Sequence, residues 1–457
     1  MSVVDLLVKN GKVYTEVGFK ELEVAAKGDE IVAVTQPGTI EDAATVVDAN
    51  GNYVIPGIID FHCHLREPGY THKEDFTTGT MAAAAGGVTM VFPQPNTDPV
   101  PRTLEAYQQQ VELGKQKSLI DFNSIASPLG YEDGQVPKLA AAGAAWFKIF
   151  QKTAAYPYST PAGTRNTAEI YEAFKAVATT GKYCSVHPFD HWFFDDIQEM
   201  MKRKGIPFNL SNYHSLLYTD EEMSGAAYEL YFLAKKAGMK WYAMHCWQPG
   251  FIDLVRWAKK EKAIDVVASY EVMPTMNTPT ALYYVPTGEW MEVGRDAETD
   301  LDKVFSAIND GTIDFLGTDH APQAREEYIL DDPLKSVLGL PLLEWYGHLL
   351  LNEVNKGNIT MERLVEVTSI NGAKIFGYYP RKGSLLPGTD ADITICDLDR
   401  EWTITSDKVY TRCQLNGFHG RKNKGKVTHT ISRGKVIMEE GEVTGKPGHG
   451  KFLIPGS

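Results

Sequence analysis

Pro56-Gly57-Ile58-Ile59-Asp60-Phe61-His62-Cys63-His64-Leu65-Arg66-Glu67-Pro68-Gly69 sets an apolar run against two imidazoles placed two positions apart. An apolar run bounded by turn residues reads as a buried strand. Side chains two apart on a strand point to one side, so His62 and His64 can face a single site where this strand ends. The run itself begins at Tyr53, and seven more of the same kind follow. With 53–59 as the first, they lie at 88–92, 120–126, 144–150, 183–187, 240–245, 265–272 and 313–318. Helical stretches separate most of them, at 104–117, 167–180, 221–238 and 301–309. Strands alternating with helices imply an α/β chain with a parallel sheet, and eight such units make one closed (β/α)8 TIM barrel.

The flanks read differently. Short strands are expected at 6–8, 12–14, 21–26 and 31–34, and again at 391–397, 402–405, 428–432 and 435–438, with turns such as Asn10-Gly11 and Arg433-Gly434. Neither set is large enough to close a sheet alone, so the two are expected to pair into one small β-sandwich. The expected domains are therefore 1–52 and 381–457 for the sandwich and 53–380 for the barrel. The chain's 457 residues suit that arrangement.

Composition narrows the partners. A hydrophobic fraction of 43% with 23% charged residues can bury a substantial core. No apolar run approaches the roughly 18–20 residues of a membrane span, and residues 1–8 lack the basic head and apolar stretch of a signal peptide. Five cysteines, at 63, 184, 246, 396 and 413, include no close pair; that pattern suits reduced thiols in the cytoplasm. A formal net charge of −14 argues against a nucleic-acid binder. The basic run Arg421, Lys422, Lys424 and Lys426 reads as a solvated turn.

Active residues of a barrel sit at the C-terminal ends of its strands. Here those ends carry Asp60-Phe61-His62-Cys63-His64, Phe147-Lys148, Val186-His187, Met244-His245 and Thr318-Asp319-His320. Four imidazoles, a carboxylate and a lysine converge, a nitrogen and oxygen set suited to Zn²⁺, with Mn²⁺, Fe²⁺ or Co²⁺ as substitutes. Lys148 would repel metals as an ammonium, but desolvation lowers an amine's pKa. The neutral amine can add CO₂, and the resulting carbamate can bridge two ions about 3.5–4 Å apart. Asp319 would bind one metal and carry the proton from the activated water to the leaving nitrogen. Each residue alone has a plain structural reading, a core histidine or an ion-paired lysine. That reading must hold at six positions at once, each at the correct end of a strand.

These motifs, with Lys73-Glu74-Asp75-Phe76, Pro95-Asn96-Thr97, Asp310-Gly311-Thr312-Ile313-Asp314, Thr318-Asp319-His320-Ala321-Pro322 and Pro387-Gly388-Thr389-Asp390-Ala391-Asp392, resemble the cyclic amidohydrolases. That family includes dihydroorotase, allantoinase, hydantoinase and dihydropyrimidinase. The resemblance implies His62, His64, Lys148, His187, His245 and Asp319 as ligands of two divalent metal ions, with Lys148 as N6-carboxylysine. It implies a hydrolase of carbon–nitrogen bonds in small cyclic amides, in which a metal-bridging hydroxide attacks the carbonyl, and a homodimer or homotetramer.

Arg66 and Asn96 resemble dihydroorotase, where the arginine grips a substrate carboxylate as a planar fork. The alternative for Arg66 is an ion pair with Glu67 or Glu74. Gln323 stands where the family places a carboxylate-holding histidine and is the third candidate substrate contact. Other departures are Pro188-Phe189, Cys246-Trp247, Thr275-Met276, Thr153 where hydantoinases carry a tyrosine, and Trp290–Arg295 in place of Asn-Pro-Pro-Leu-Arg. Trp247, Tyr156, Tyr158 and Trp192 are candidates to line a more aromatic pocket. A dihydroorotase-like activity is the first reading. Allantoinase, hydantoinase or dihydropyrimidinase, and imidase specificities are the alternatives, followed by hydrolysis of a linear amide or lactone. A non-catalytic scaffold is disfavoured by the complete ligand set.

Overall fold

In the computed structural model, which describes residues 4–151, 163–164, 166–272, 280–284, 288–295 and 300–456, the run expected as one strand at 53–59 is two. Tyr53–Pro56 pairs with Val4–Thr15 and Ile393–Thr403 in a sheet built from both ends of the chain. Ile58–Cys63 pairs with Val88–Pro93 as the first barrel strand. The break falls at Gly57, where a β-carbon would stand 2.2 Å from Thr89 Oγ1. Both halves are buried in different sheets, so their shared apolarity conceals the join.

The other barrel strands are Asp121–Phe122, Phe147–Gln151, Tyr183–His187, Lys240–Ala243, Val266–Glu271 and Phe315–Gly317, all parallel to their neighbours. Single bridges, Ala126 to Phe147 and Cys63 to His320, close the ring. Backbone bonds Lys148 N to Ala126 O (3.0 Å) and Asp319 N to His62 O (2.8 Å) sit at those seams. The fold is the (β/α)8 barrel. Phe61, Phe92, Trp146, Tyr242 and Phe315 fill its interior, and Phe376, from the helix Asn371–Phe376, lies 4.3 Å from the Trp146 ring.

Helices Leu104–Lys117 and Leu301–Asn309 fall where their patterns place them. Thr167–Ala178 and Asp220–Ala237 differ by a residue or two at their ends. Each begins on a side-chain cap, Thr103, Asp300, Asn166 or Thr219, that accepts from a first-turn amide. Among the described residues no helix is long and apolar enough to cross a membrane.

The body of the β-sandwich is a nine-stranded sheet in which the C-terminal strands lie as one block beside the N-terminal ones, joined where Ile393–Thr403 pairs with Tyr53–Pro56. Ala43–Asp48 and Tyr53–Pro56 pair with different halves of Val4–Thr15, which bulges between Val8 and Gly11 with Asn10 at φ 55°. The basic run expected as a turn lies instead at the start of the strand Lys422–Ser432. Its charges alternate with buried Asn423, Gly425 and Val427, the period of a strand with one face inward. Lys426 lies 5.6 Å over the Trp402 ring and 3.3 Å from Glu440.

Two features tie this sheet to the barrel. Lys382, fully buried, gathers Asp121 of the third barrel strand with Asp390 (2.9 Å) and Asp392. Arg433 joins from the sheet, 3.1 Å from Asp121. The three carboxylates surround an ammonium, so they are not a metal site. Beside them, Phe122 N donates to Lys451 O (3.0 Å), Leu453 N to Phe122 O (2.9 Å), and Asn123 Nδ2 to Leu453 O (2.8 Å).

Candidate metal centre

At the end of the first barrel strand the pairing register shifts between Asp60 and Cys63. The amides freed by that shift need acceptors. Asp60 supplies them, taking His62 N (3.1 Å), Thr318 N (2.8 Å) and Thr318 Oγ1 (2.7 Å). This buried carboxylate therefore welds the first strand to the eighth, under the site. Arg66 (φ 59°), His245 (φ 60°) and Asp319 (φ 48°) all take the left-handed conformation, which non-glycine residues rarely adopt. Such backbone costs on the order of 1–3 kcal/mol per residue and collects at functional sites.

The structure brings the six sequence-selected side chains together at this mouth. His62 Nε2 lies 2.8 Å from Lys148 Nζ and 3.3 Å from Asp319 Oδ1. His64 Nε2 is 2.9 Å from the same Oδ1. The His245 ring stands 5.0 Å from that of His62 and 4.4 Å from that of His187. One ligating atom each from His62, His245 and Asp319 fall within 4.8 Å of one another.

The outer ring nitrogens decide what the inner ones can do. His62 Nδ1 meets Glu271 Oε1 at 3.3 Å, and His64 Nδ1 meets Asn96 Oδ1 at 2.6 Å. Glu271 Oε2 lies 3.0 Å from His245 Nδ1, off the ring N–H axis, so it favours a proton there by charge rather than through an aligned bond. A proton on each Nδ1 leaves three Nε2 lone pairs. Two of them face Asp319, although Lys148 Nζ can donate to that of His62, and His245 Nε2 is buried with no hydrogen-bond partner among the described residues. Each unmatched buried polar atom costs about 1–3 kcal/mol. Divalent cations satisfy all of these groups, so the residues fit the metals.

Electrostatics agree. Burial, and then Lys148, push the His62 imidazolium down to about 4, and burial holds His64 well below its ordinary value. Both are neutral at neutral pH. Burial pushes Lys148 down to about 7, against the pull of Asp319 and Glu271. Among the described residues no carboxylate ion-pairs with Lys148; its Nζ lies over the Phe150 ring at 4.4 Å.

The candidate substrate contacts lie nearby. Arg66 is buried, with Nε donating to Pro322 O at 3.0 Å, while Glu67 pairs with Lys117 and Glu74 with His320. Asn96 spends its carbonyl on His64. Gln323 is engaged at both ends, accepting from Lys73 Nζ (2.8 Å) and donating to Leu338 O (2.9 Å). Trp247 packs edge-on against His245 at 5.4 Å, whereas Trp192 is 71% exposed. Trp290–Arg295 is a strand paired with Thr280–Tyr284. Tyr156, Tyr158, Thr153, Thr275 and Met276 lie outside the described residues.

Two residues escaped the sequence reading. Phe150 stands 6.3 Å from both the His64 and His187 rings. Glu271 holds two histidines; it ends the seventh strand, and Ser269, two positions earlier, donates to it. The strand-end rule, applied to that strand too, would have found it.

Comparison with known proteins agrees with this geometry. A dihydroorotase from Methanosphaera stadtmanae is 32% identical over 405 residues, 88% of this chain and 89% of its own length. An L-hydantoinase from Paenarthrobacter aurescens is 28% identical over 456 residues, 98% of each. Among solved structures, L-hydantoinase from Arthrobacter aurescens superposes with a TM-score of 0.86 at 26% identity, covering 99% of this chain and all of its own. The amidohydrolase family model matches residues 53–437, and the chain belongs to that family.

Proposed function

We propose that this protein hydrolyses the carbon–nitrogen amide bond of a small cyclic amide, with a carboxylate-bearing ring of the dihydroorotate kind as first choice. The observation that carries the reading is the convergence of the inward Nε2 atoms of His62 and His64 on Asp319 Oδ1, with His245 Nε2 buried and unpartnered among the described residues beside them. The cofactors are two divalent ions, Zn²⁺ first with Mn²⁺, Fe²⁺ or Co²⁺ as substitutes, held by His62, His64, Lys148, His187, His245 and Asp319. When bound, they supply an activated water and polarise the scissile carbonyl.

The chain's own residues do the rest. Lys148, dry and depressed to about 7, is an amine able to take up CO₂ as N6-carboxylysine. Asp319 Oδ1 accepts the attacking water's proton and returns it to the ring nitrogen. Arg66 offers a fork to a carboxylate, and Asn96 and Gln323 complete that end of the pocket. Neutral rings, as in hydantoin, allantoin, dihydrouracil and cyclic imides, form the second reading; the close likeness to an L-hydantoinase structure favours it.

The wider reading is a cytoplasmic homodimer or homotetramer with no nucleic-acid partner; the five free cysteines support that location. The barrel domain is 53–380 and the sandwich 1–52 with 381–457, with Tyr53–Pro56 lending its edge to the sandwich.

The test is ring opening of dihydroorotate, allantoin, hydantoin, dihydrouracil and a cyclic imide by the zinc-loaded protein. Turnover of one ring, lost by about 10²–10⁴-fold in Asp319→Asn with most of the metal retained, is the expected result. A fully loaded protein that opens none of them, or an Asp319→Asn variant with ordinary turnover, sinks the proposal.

A further inference from the structure

We propose that Glu271 is a positioning residue that fixes the tautomer and orientation of His62 and His245 together, and so sets how tightly the centre holds metal. The inference rests on the metal-centre reading above. Glu271 is completely buried at the end of the seventh strand. Its Oε1 accepts from Ser269 Oγ and meets His62 Nδ1 at 3.3 Å. Its Oε2 accepts from the His245 backbone N–H at 2.6 Å and lies 3.0 Å from His245 Nδ1. An ionised carboxylate only accepts, with about four lone-pair sites, and four nitrogen or oxygen groups surround this one. It cannot turn without losing one of them, and it favours an outward proton on both imidazoles, by a hydrogen bond at His62 and by charge at His245, which leaves their Nε2 lone pairs inward.

The same geometry makes the two histidines unequal under substitution. In Glu271→Gln the fixed backbone N–H of His245 demands an oxygen, so the amide carbonyl takes the Oε2 place. The amide nitrogen, a donor, is left facing His62 Nδ1. His62 must then accept there and move its proton to Nε2, which removes its inward lone pair; His245 keeps its own. Ser269 can rotate its hydroxyl to suit either neighbour. A side chain of nearly the same shape would thus disable one ligand and spare the other. Glu271→Asp keeps an all-acceptor group at the cost of one methylene of reach.

The experiment measures zinc bound per chain by elemental analysis across a graded chelator series, for wild type, Glu271→Gln, Glu271→Asp and Ser269→Ala. The melting temperature of each metal-free protein is recorded alongside. Outer partners of metal-bound histidines are typically worth about 10–100-fold in affinity, and Glu271→Gln is expected to lose that much while its metal-free melting temperature stays near wild type. Glu271→Asp should hold zinc better than Glu271→Gln, and Ser269→Ala should lose affinity in the same direction by less. A role in shape alone gives the reverse order, with the isosteric Gln better than Asp, and overturns the proposal. So does a fall in metal-free melting temperature with zinc affinity unchanged. Should Glu271→Gln fail to fold, Glu271→Asp and Ser269→Ala decide the matter, and wild-type affinity in both overturns it. Wild type binding no zinc would instead overturn the metal-centre reading, and this inference with it.

Discussion

Lys148 and Lys382 are both fully buried, yet their surroundings drive them to opposite states. Around Lys382, burial favours the neutral amine, but Asp121, Asp392 and Asp390 outweigh it and hold the pKa above that of an ordinary lysine. Lys148 has an imidazole at 2.8 Å and an aromatic ring beneath it, and burial prevails. What separates a rivet from a reactive amine is the number of carboxylates in contact, since both lysines are equally dry. A charged group withdrawn from water needs partners at contact distance, and only one of the two has them.

The largest effect expected from this contrast is chemical. Lys148→Met should lower turnover by about 10⁴-fold, because metal-derived transition-state stabilisation is worth several kcal/mol, while the unfolding midpoint stays close to wild type. Retained turnover with a weakened fold would make Lys148 a rivet as well and break the distinction. Lys382→Met should do the converse. It strands Asp392, while Asp121 and Asp390 keep Arg433, and is expected to cost about 3 kcal/mol of stability in denaturant titration, with metal content per folded chain unchanged. A metal loss in Lys382→Met would mean that the two regions are coupled.

The smallest effect sharpens the comparison through pH. Because the folded pKa of Lys382 is raised, its contribution is complete below the unfolded value near 10.5 and is lost as pH climbs above it. The stability gap between wild type and Lys382→Met should therefore narrow by about 1.4 kcal/mol per pH unit above about pH 10.5. A gap that instead widens as pH climbs from near neutrality would mean that Lys382 titrates as Lys148 does.

Much of this was legible in the residues, for reasons that differ from place to place. The barrel could be read because strands and helices alternate with different hydrophobic periods, and its centre because strand ends gather the reactive side chains. The split at Gly57 was hidden, since Tyr53–Pro56 and Ile58–Cys63 are equally apolar while serving two sheets. Ala43–Asp48 went unseen, its middle residues being exposed. The basic run was read by its charge, when the alternation with Asn423, Gly425 and Val427 carried the information. Glu271 lies at a strand end and so is within reach of the strand-end rule, but the histidines it meets are 26 and 209 positions away, and no local pattern encodes those pairings. Gln323 stands out by its position in a motif, whereas its hydrogen bonds to Lys73 and Leu338 come from loops whose meeting only the fold determines.

The seam between Phe122 and residues 451–453 bears on how the chain is made. Asn123 and Leu453, bonded to each other, are 330 positions apart. At a synthesis rate of about 5–20 residues per second, their meeting is delayed by roughly 17–66 s. Throughout that interval the third strand has no partner for these groups, and the barrel interior lacks Leu453, one of its buried side chains. Strands formed early must wait with their apolar faces uncovered until residues 451–453 emerge and let the ring lock.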